Sequence, residues 1–231
     1  MSSFDRLDEV LKLAPEVASS PAPAPTGPVG LRFNDVSFSS GGNRVLDGST
    51  LTVRPGETVA LVGPPGAGKT MAVQLAGGFY DPDTGSVTLL GGAPGVHALR
   101  EHVVCVFDDA FLFSSSVRDN IAMGSTLPPG ELDAAVLEAA RLACADEFIQ
   151  RLPDGYDTEV DQDGGSVSAG ERQLITIARA FLSQPSLLIL DEATSSVDTR
   201  TEVLVQQAMN ALRSNRTSFV IAHRLSTIRD A

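Results

Sequence analysis

Residues 58–76 read TVALVGPPGAGKTMAVQLA, and this stretch decides the fold. A short apolar run, Val59 to Val62, gives way at once to a glycine-rich loop, Gly63-Pro64-Pro65-Gly66-Ala67-Gly68-Lys69-Thr70. The helix-compatible segment Met71-Ala72-Val73-Gln74-Leu75-Ala76 follows. Strand, glycine loop and helix in this order fit the pattern GxxxxGK[ST]. The glycines let the backbone curl with its N–H groups pointing inward around phosphate oxygens. The N-terminus of the following helix, entered at Met71, adds a positive partial charge. In such a loop Lys69 reaches the β- and γ-phosphates of a nucleotide, and the Thr70 hydroxyl ligates Mg²⁺. An ordinary glycine turn requires neither the lysine nor the flanking strand and helix.

The bulk composition agrees with a nucleotide site and argues against a nucleic-acid surface. The chain of 231 residues carries a net charge of −12, which disfavours a broad surface for a phosphate backbone. One phosphate site, by contrast, needs only a local positive field. Aromatic residues make up 5% and tryptophan is absent, so no platform for stacking bases is expected. Cys105 and Cys144 stand far apart and form no metal-type spacing. Cys105, inside the apolar run HVVCVF, reads as a small buried hydrophobe, and a reducing, cytosolic setting fits. No window approaches the roughly 20 apolar residues of a membrane span, and no signal peptide opens the chain.

Working outward, residues 4–13 carry apolar side chains at helical spacing up to the break at Pro15. This predicts an amphipathic helix over 1–18. The segment 19–30, with Pro21, Pro23, Pro25 and Pro28, reads as an extended linker. The folded domain is therefore expected over 31–231. LRFNDVSF from Leu31, LTV from Leu51, SVTLL from Ser86 and HVVCVF from His102 read as strands. From Ser114 to Gln150 the pattern turns helical, through the long run ELDAAVLEAARLACADEFIQRL. GERQLITIARAFL is again helical, and SLLILD and SFVIAHR are buried strands. Strands alternating with helices predict a parallel α/β core, with the helical middle as an insertion of about residues 110–168.

SLLILDE supplies a second acidic feature. Leu187 to Leu190 bury the strand and deliver Asp191 and Glu192 to its C-terminal end, where ligands sit in open α/β sheets. Asp191 suits the outer sphere of Mg²⁺, and Glu192 suits a general base that polarises an attacking water. Alone, such a pair also serves as a helix N-cap; beside the phosphate loop the catalytic reading prevails.

Val167-Ser168-Ala169-Gly170-Glu171-Arg172-Gln173 resembles the signature sequence of ATP-binding cassette (ABC) proteins, usually LSGGQ followed by RQ, and lies just upstream of SLLILDE as that family requires. Ser195-Ser196-Val197-Asp198 is similar to the family's D-loop, and His223 matches its switch histidine. FLFSSSVRDNIAMG, from Phe111 to Gly124, and LPDGYDTEV, from Leu152, resemble segments of exporter-type members.

The resemblance implies an α/β P-loop NTPase (RecA-like) core with an antiparallel β subdomain and an inserted α-helical subdomain. It implies MgATP as substrate, ATP hydrolysis, and two cassettes facing head to tail as a homo- or heterodimer. Ser168, Ala169, Gly170 and Glu171 would then meet the γ-phosphate of the partner's nucleotide. Thr70, Asp191 and Asp108 would serve the metal, Glu192 would activate water, and His223 would position it. A transmembrane exporter domain would precede residue 1, placing this otherwise soluble portion at the cytoplasmic face of the membrane. The family normally continues past the histidine with a strand pair and a helix. A C-terminally truncated domain is thus expected, stabilised by restoring about 25 further residues.

Several positions depart from the family pattern. Asp108 stands where a glutamine precedes the helical insertion, Ser40 where an aromatic stacks on adenine, and Gln162 where a glutamate precedes the signature. Val167 and Glu171 replace the signature's leucine and glutamine. Two alternatives accordingly stay open: a degenerate regulatory cassette with little turnover, and a soluble ATPase of the family unconnected with transport.

Overall fold

The computed structural model describes residues 30–89, 102–107, 110–160, 166–191, 199–214 and 216–221. Asp108, Gln162, Glu192, Asp198, His223 and the expected helix and linker over 1–29 lie outside the described residues.

Alternating apolar residues open the chain as β1 (Leu31–Ser40), whose Leu31, Phe33 and Val36 are fully buried. It pairs antiparallel with β2 (Asn43–Val53) and with β4 (Thr84–Leu89), giving a three-stranded sheet in the order β2–β1–β4. β2 is longer than the LTV segment suggests. Its register against β1 shifts repeatedly, and Gly48 holds φ at 57°. A broken alternation therefore hides a continuous strand.

The second sheet is parallel and four-stranded, in the order β3–β9–β8–β5. It comprises β3 (Thr58–Leu61), β5 (Val103–Val106), β8 (Leu187–Asp191) and β9 (Thr217–Ile221). Leu187 to Leu190 are each fully buried, as strands covered on both faces must be. The sheet divides two apolar clusters. Leu187, Ile189, Phe219 and Ile221 face the antiparallel sheet and α1 (Lys69–Ala76), whereas Leu188, Leu190 and Val220 face the helices.

Between β5 and β8 the chain makes the helical insertion. Its described residues include a two-residue strand pair, β6 (Ser115–Ser116) with β7 (Glu159–Val160), the α-helices α2 (Val117–Ala122), α3 (Pro129–Leu142) and α4 (Asp146–Ile149), and a short 3-10 turn at Gly155–Asp157. α5 (Ala169–Ser183) then packs on both α2 and α3. Asn120, fully buried, fastens this lobe. Its Oδ1 accepts from Phe113 N at 2.8 Å and its Nδ2 donates to Phe113 O and Ser116 O at 3.0 Å. Arg179 of α5 donates from Nε to the Asn120 carbonyl at 2.8 Å. Burial pulls that guanidinium below its usual pKa.

The single helical run expected through ELDAAVLEAARLACADEFIQRL is interrupted at Cys144, which adopts φ 56° and separates α3 from α4. The pattern reading does not anticipate α6 (Thr199–Arg213), which packs on α5 and buries Val205, Ala208, Met209 and Leu212. The fold is an α/β P-loop NTPase core with an antiparallel β sheet on one side and a helical lobe on the other.

Candidate functional site

The parallel register brings the ends of β3, β9 and β8 to one edge. Leu61 lies opposite Ile221, and Ile221 opposite Asp191. Two strand spacings, about 10 Å, separate the end of β3 from the end of β8. The glycine loop leaves the sheet directly after β3, so the loop and Asp191 share the edge where open α/β sheets take their ligands.

The loop is shaped by two residues with positive φ, Gly66 at 81° and Gly68 at 83°. Ala67 N donates to Pro64 O at 3.2 Å, closing a turn across its middle. Gly68 also sits tightly against the neighbouring hairpin: a Cβ there would stand 3.0 Å from both Val45 O and Leu46 Cδ2. The Lys69 ammonium folds back over the loop, donating to Gly63 O at 2.8 Å and Pro64 O at 2.9 Å. A lysine has three N–H donors, so one remains for a ligand.

α1 begins at Lys69 with Gly68 as its N-cap. No side chain caps it and no acidic residue lies in its first turn. Its leading N–H groups therefore have no side-chain acceptor, and its dipole points a positive end at the loop. α5 contrasts with it. Ser168 Oγ accepts from Glu171 N at 3.3 Å, while Glu171 Oε2 accepts from Ser168 N at 2.8 Å, a complete capping box. One helix start is closed by its own side chains and the other is left open.

A cleft of about 590 Å³ lies over the open helix start, within the range of small-ligand sites. Of the expected nucleotide-binding residues, Gly63, Pro65, Gly66, Gly68, Lys69, Thr70 and Met71 line it; Pro64 and Ala67 belong to the same exposed loop. Ser40, Val45 and Gln74 complete the lining. The roles of Val45 and Gln74 do not emerge from the sequence pattern. Gln74 lies one turn beyond Thr70 on the same helical face, a spacing that could have indicated it. Val45 needs the β1–β2 register, which motif reading does not supply.

Ser168, Ala169, Gly170 and Glu171 do not line this cleft; Ser168 is exposed at the start of α5. Thr70 and Asp191 offer hard oxygen donors, the chemistry that Mg²⁺ takes, and so fit that ion. Among the described residues no group of three or more His, Cys, Asp or Glu could hold a metal by protein side chains alone. Burial pushes the Cys105 thiol up to about 12, which makes it a packing residue rather than a nucleophile. Among the described residues no helix is long and apolar enough to cross a membrane.

The sequence model of the family described as ABC transporter matches residues 46–195. A fatty acid ABC transporter ATP-binding/permease protein of Mycobacterium tuberculosis is 48% identical over 233 residues, covering 99% of this chain and 36% of that protein. An ATP-dependent lipid A-core flippase of Desulfotalea psychrophila is 41% identical over 236 residues, covering 100% of this chain and 41% of that protein. A solved structure of a bacterial Atm1-family ABC exporter with ATP bound superposes with a TM-score of 0.85 at 38% identity, covering 99% of this chain and 40% of that one. The chain thus spans well under half the length of these relatives. With the phosphate loop, the uncapped α1 and the parallel strand order on the page, the family match makes this chain a member of the ABC transporter family, corresponding to its ATP-binding domain.

Proposed function

We propose that the chain binds and hydrolyses MgATP at the phosphate-loop cleft, and that a second cassette closing over the nucleotide powers export by a transmembrane domain. The observation that carries this reading is the open start of α1, with the Lys69 ammonium folded over the loop beside it. A helix start without a side-chain cap, facing a cleft, favours an anion. Thr70 and Asp191, with Asp108, would hold Mg²⁺, which would supply charge neutralisation for the phosphates.

The division of labour between two copies is supported by what the cleft lacks. The signature residues Ser168 to Glu171 belong to a different lobe and do not line it, so a second chain would bring its own. The Ser168 oxygen accepts from Glu171 N, which leaves the hydroxyl proton for donation to an anion. Asp198 in the D-loop would meet the partner across the same interface. Glu192, directly after Asp191 at the end of β8, would take the proton of the attacking water. His223, two residues after Ile221, would position that water. A membrane-domain partner is favoured by the relatives, which are ATP-binding/permease proteins and an exporter. The exposed edge-to-face pair Phe111 and Phe113 offers it an apolar contact. In this reading residues 31–231 form the nucleotide-binding domain and 1–18 lead to the membrane portion through the linker 19–30.

The test compares steady-state ATP hydrolysis, ATP affinity and dimer content for the chain, Lys69→Ala and Glu192→Gln. Lys69→Ala is expected to lose nucleotide affinity. Glu192→Gln is expected to keep it, to lose turnover by about 10²- to 10⁴-fold and to accumulate an ATP-bound dimer. Turnover by the unaltered chain no greater than that of Glu192→Gln would replace hydrolysis with the regulatory reading.

A further inference from the structure

We infer that the Gln74 carboxamide binds the neighbouring hydroxyls of the nucleotide's ribose, and so makes this cleft favour a ribonucleotide over its deoxy forms. The inference rests on reading the cleft as a nucleoside triphosphate site and names the side chain that reads the sugar. After Lys69, α1 presents Thr70, Met71 and Gln74 to the cleft. They form one stripe because residues three and four apart share a helix face. Its next positions, Gly77 and Gly78, carry no side chain, so Gln74 is the last group on this wall. From Thr70 to Gln74 the helix advances about 6 Å. Helical side chains lean towards the N-terminus, so the carboxamide is carried back along the wall towards the loop. A nucleotide whose phosphates sit at the helix start passes its sugar along this stretch.

The carboxamide is also uncommitted. Gln74 is half-buried, and its backbone carbonyl accepts from Phe79 N at 2.9 Å. Among the described residues no group is bonded to its side chain. The chemistry of that side chain decides between phosphate and sugar. A carboxamide sets an acceptor oxygen beside a donor nitrogen. Against a phosphate only the nitrogen is of use, and the oxygen faces an anion. Against two neighbouring hydroxyls both ends bond: Oε1 accepts from one, and Nε2 donates to the oxygen of the other.

The rest of the wall divides the work in the same way. The phosphates are served by the Lys69 ammonium and the uncapped start of α1. Gln74 is the one polar side chain of α1 after Thr70. Ser40, on the hairpin wall, offers a single hydroxyl and cannot engage a pair. If Gln74 served only to extend the helix, methionine would serve equally well.

The test measures dissociation constants of MgATP, its 2′-deoxy and 3′-deoxy forms and magnesium tripolyphosphate for the 231-residue chain, for Gln74→Met and for Gln74→Ala, each with its melting temperature. The unaltered chain is expected to bind MgATP about fivefold more tightly than either deoxy form. Both variants are expected to weaken MgATP about tenfold, to bring the three nucleotides within about twofold of one another, and to leave tripolyphosphate unchanged. A merely structural role would weaken all four ligands together and leave the preference for ribose standing. Equal affinity of the unaltered chain for the three nucleotides would overturn the inference, as would a preference that survives in both folded variants. Loss of tripolyphosphate affinity equal to that of MgATP would overturn it too, by assigning Gln74 to the phosphates. Each of these results removes the sugar contact alone; no binding of any of the four by the unaltered chain removes the nucleotide reading beneath it.

Discussion

Gly68 joins two tasks that sequence reading assigns to different parts of the molecule. Its φ of 83° makes the turn from loop to helix, and its missing Cβ lets the β2 hairpin approach the loop. Gly66 shares the first task, at φ 81°, but a Cβ there would meet nothing within 4 Å. The two alanine substitutions separate backbone strain from steric exclusion. Gly66→Ala should cost the left-handed conformation alone, about 1–2 kcal/mol. Gly68→Ala should cost that and the displacement of Val45 and Leu46 as well, with a larger loss of nucleotide affinity. Urea denaturation with and without MgATP measures both, and equal costs would dismiss the contact with the hairpin. The glycines were legible because the loop pattern fixes their spacing along the chain. Val45 was not, because only the folded hairpin brings it to the loop, and no local pattern encodes that approach.

At the scale of the element, the starts of α1 and α5 show how capping separates a binding terminus from one closed by its own side chains. Ser168 and Glu171 satisfy one another's backbone N–H groups, and the motif S-x-x-E announces this in the sequence. Ser168→Ala should therefore destabilise the chain by about 1 kcal/mol without any ligand present. It would appear as a lower urea midpoint at unchanged slope. An unchanged midpoint would mean that the box adds nothing to the folded state. Helix α6 carries a signal that the pattern reading passes over: Val205, Ala208, Met209 and Leu212 sit at i, i+3, i+4 and i+7, and all four are buried. The break at Cys144 carries none, because neither glycine nor proline marks it and the apolar spacing runs on through it. The strand continuity of β2 was hidden for the opposite reason. Gly48 and the register shifts interrupt an alternation that the hydrogen-bonded ladder nonetheless sustains.

The whole molecule is organised around the parallel sheet, which belongs to two cores at once. Along β8 successive side chains alternate between them: Leu187 and Ile189 pack towards α1 and the antiparallel sheet, Leu188 and Leu190 towards the helical lobe. The period of a strand thus forces any distortion on one side to be felt on the other, since neither face of β8 can shift without its backbone. This geometry predicts cooperative unfolding. Leu188→Ala and Ile189→Ala remove side chains of similar size from opposite cores, and each is fully buried. Each should cost about 2–5 kcal/mol. Both should shift a single transition, seen alike in far-ultraviolet circular dichroism and in calorimetry. If the cores were independent, Leu188→Ala would split off an early transition of the helical lobe while the nucleotide-binding side stayed intact, and MgATP would then protect only the later one. One transition, moved by either substitution and raised as a whole by MgATP, is the result that a shared sheet requires, because a ligand at its C-terminal edge stabilises every element that must unfold with it.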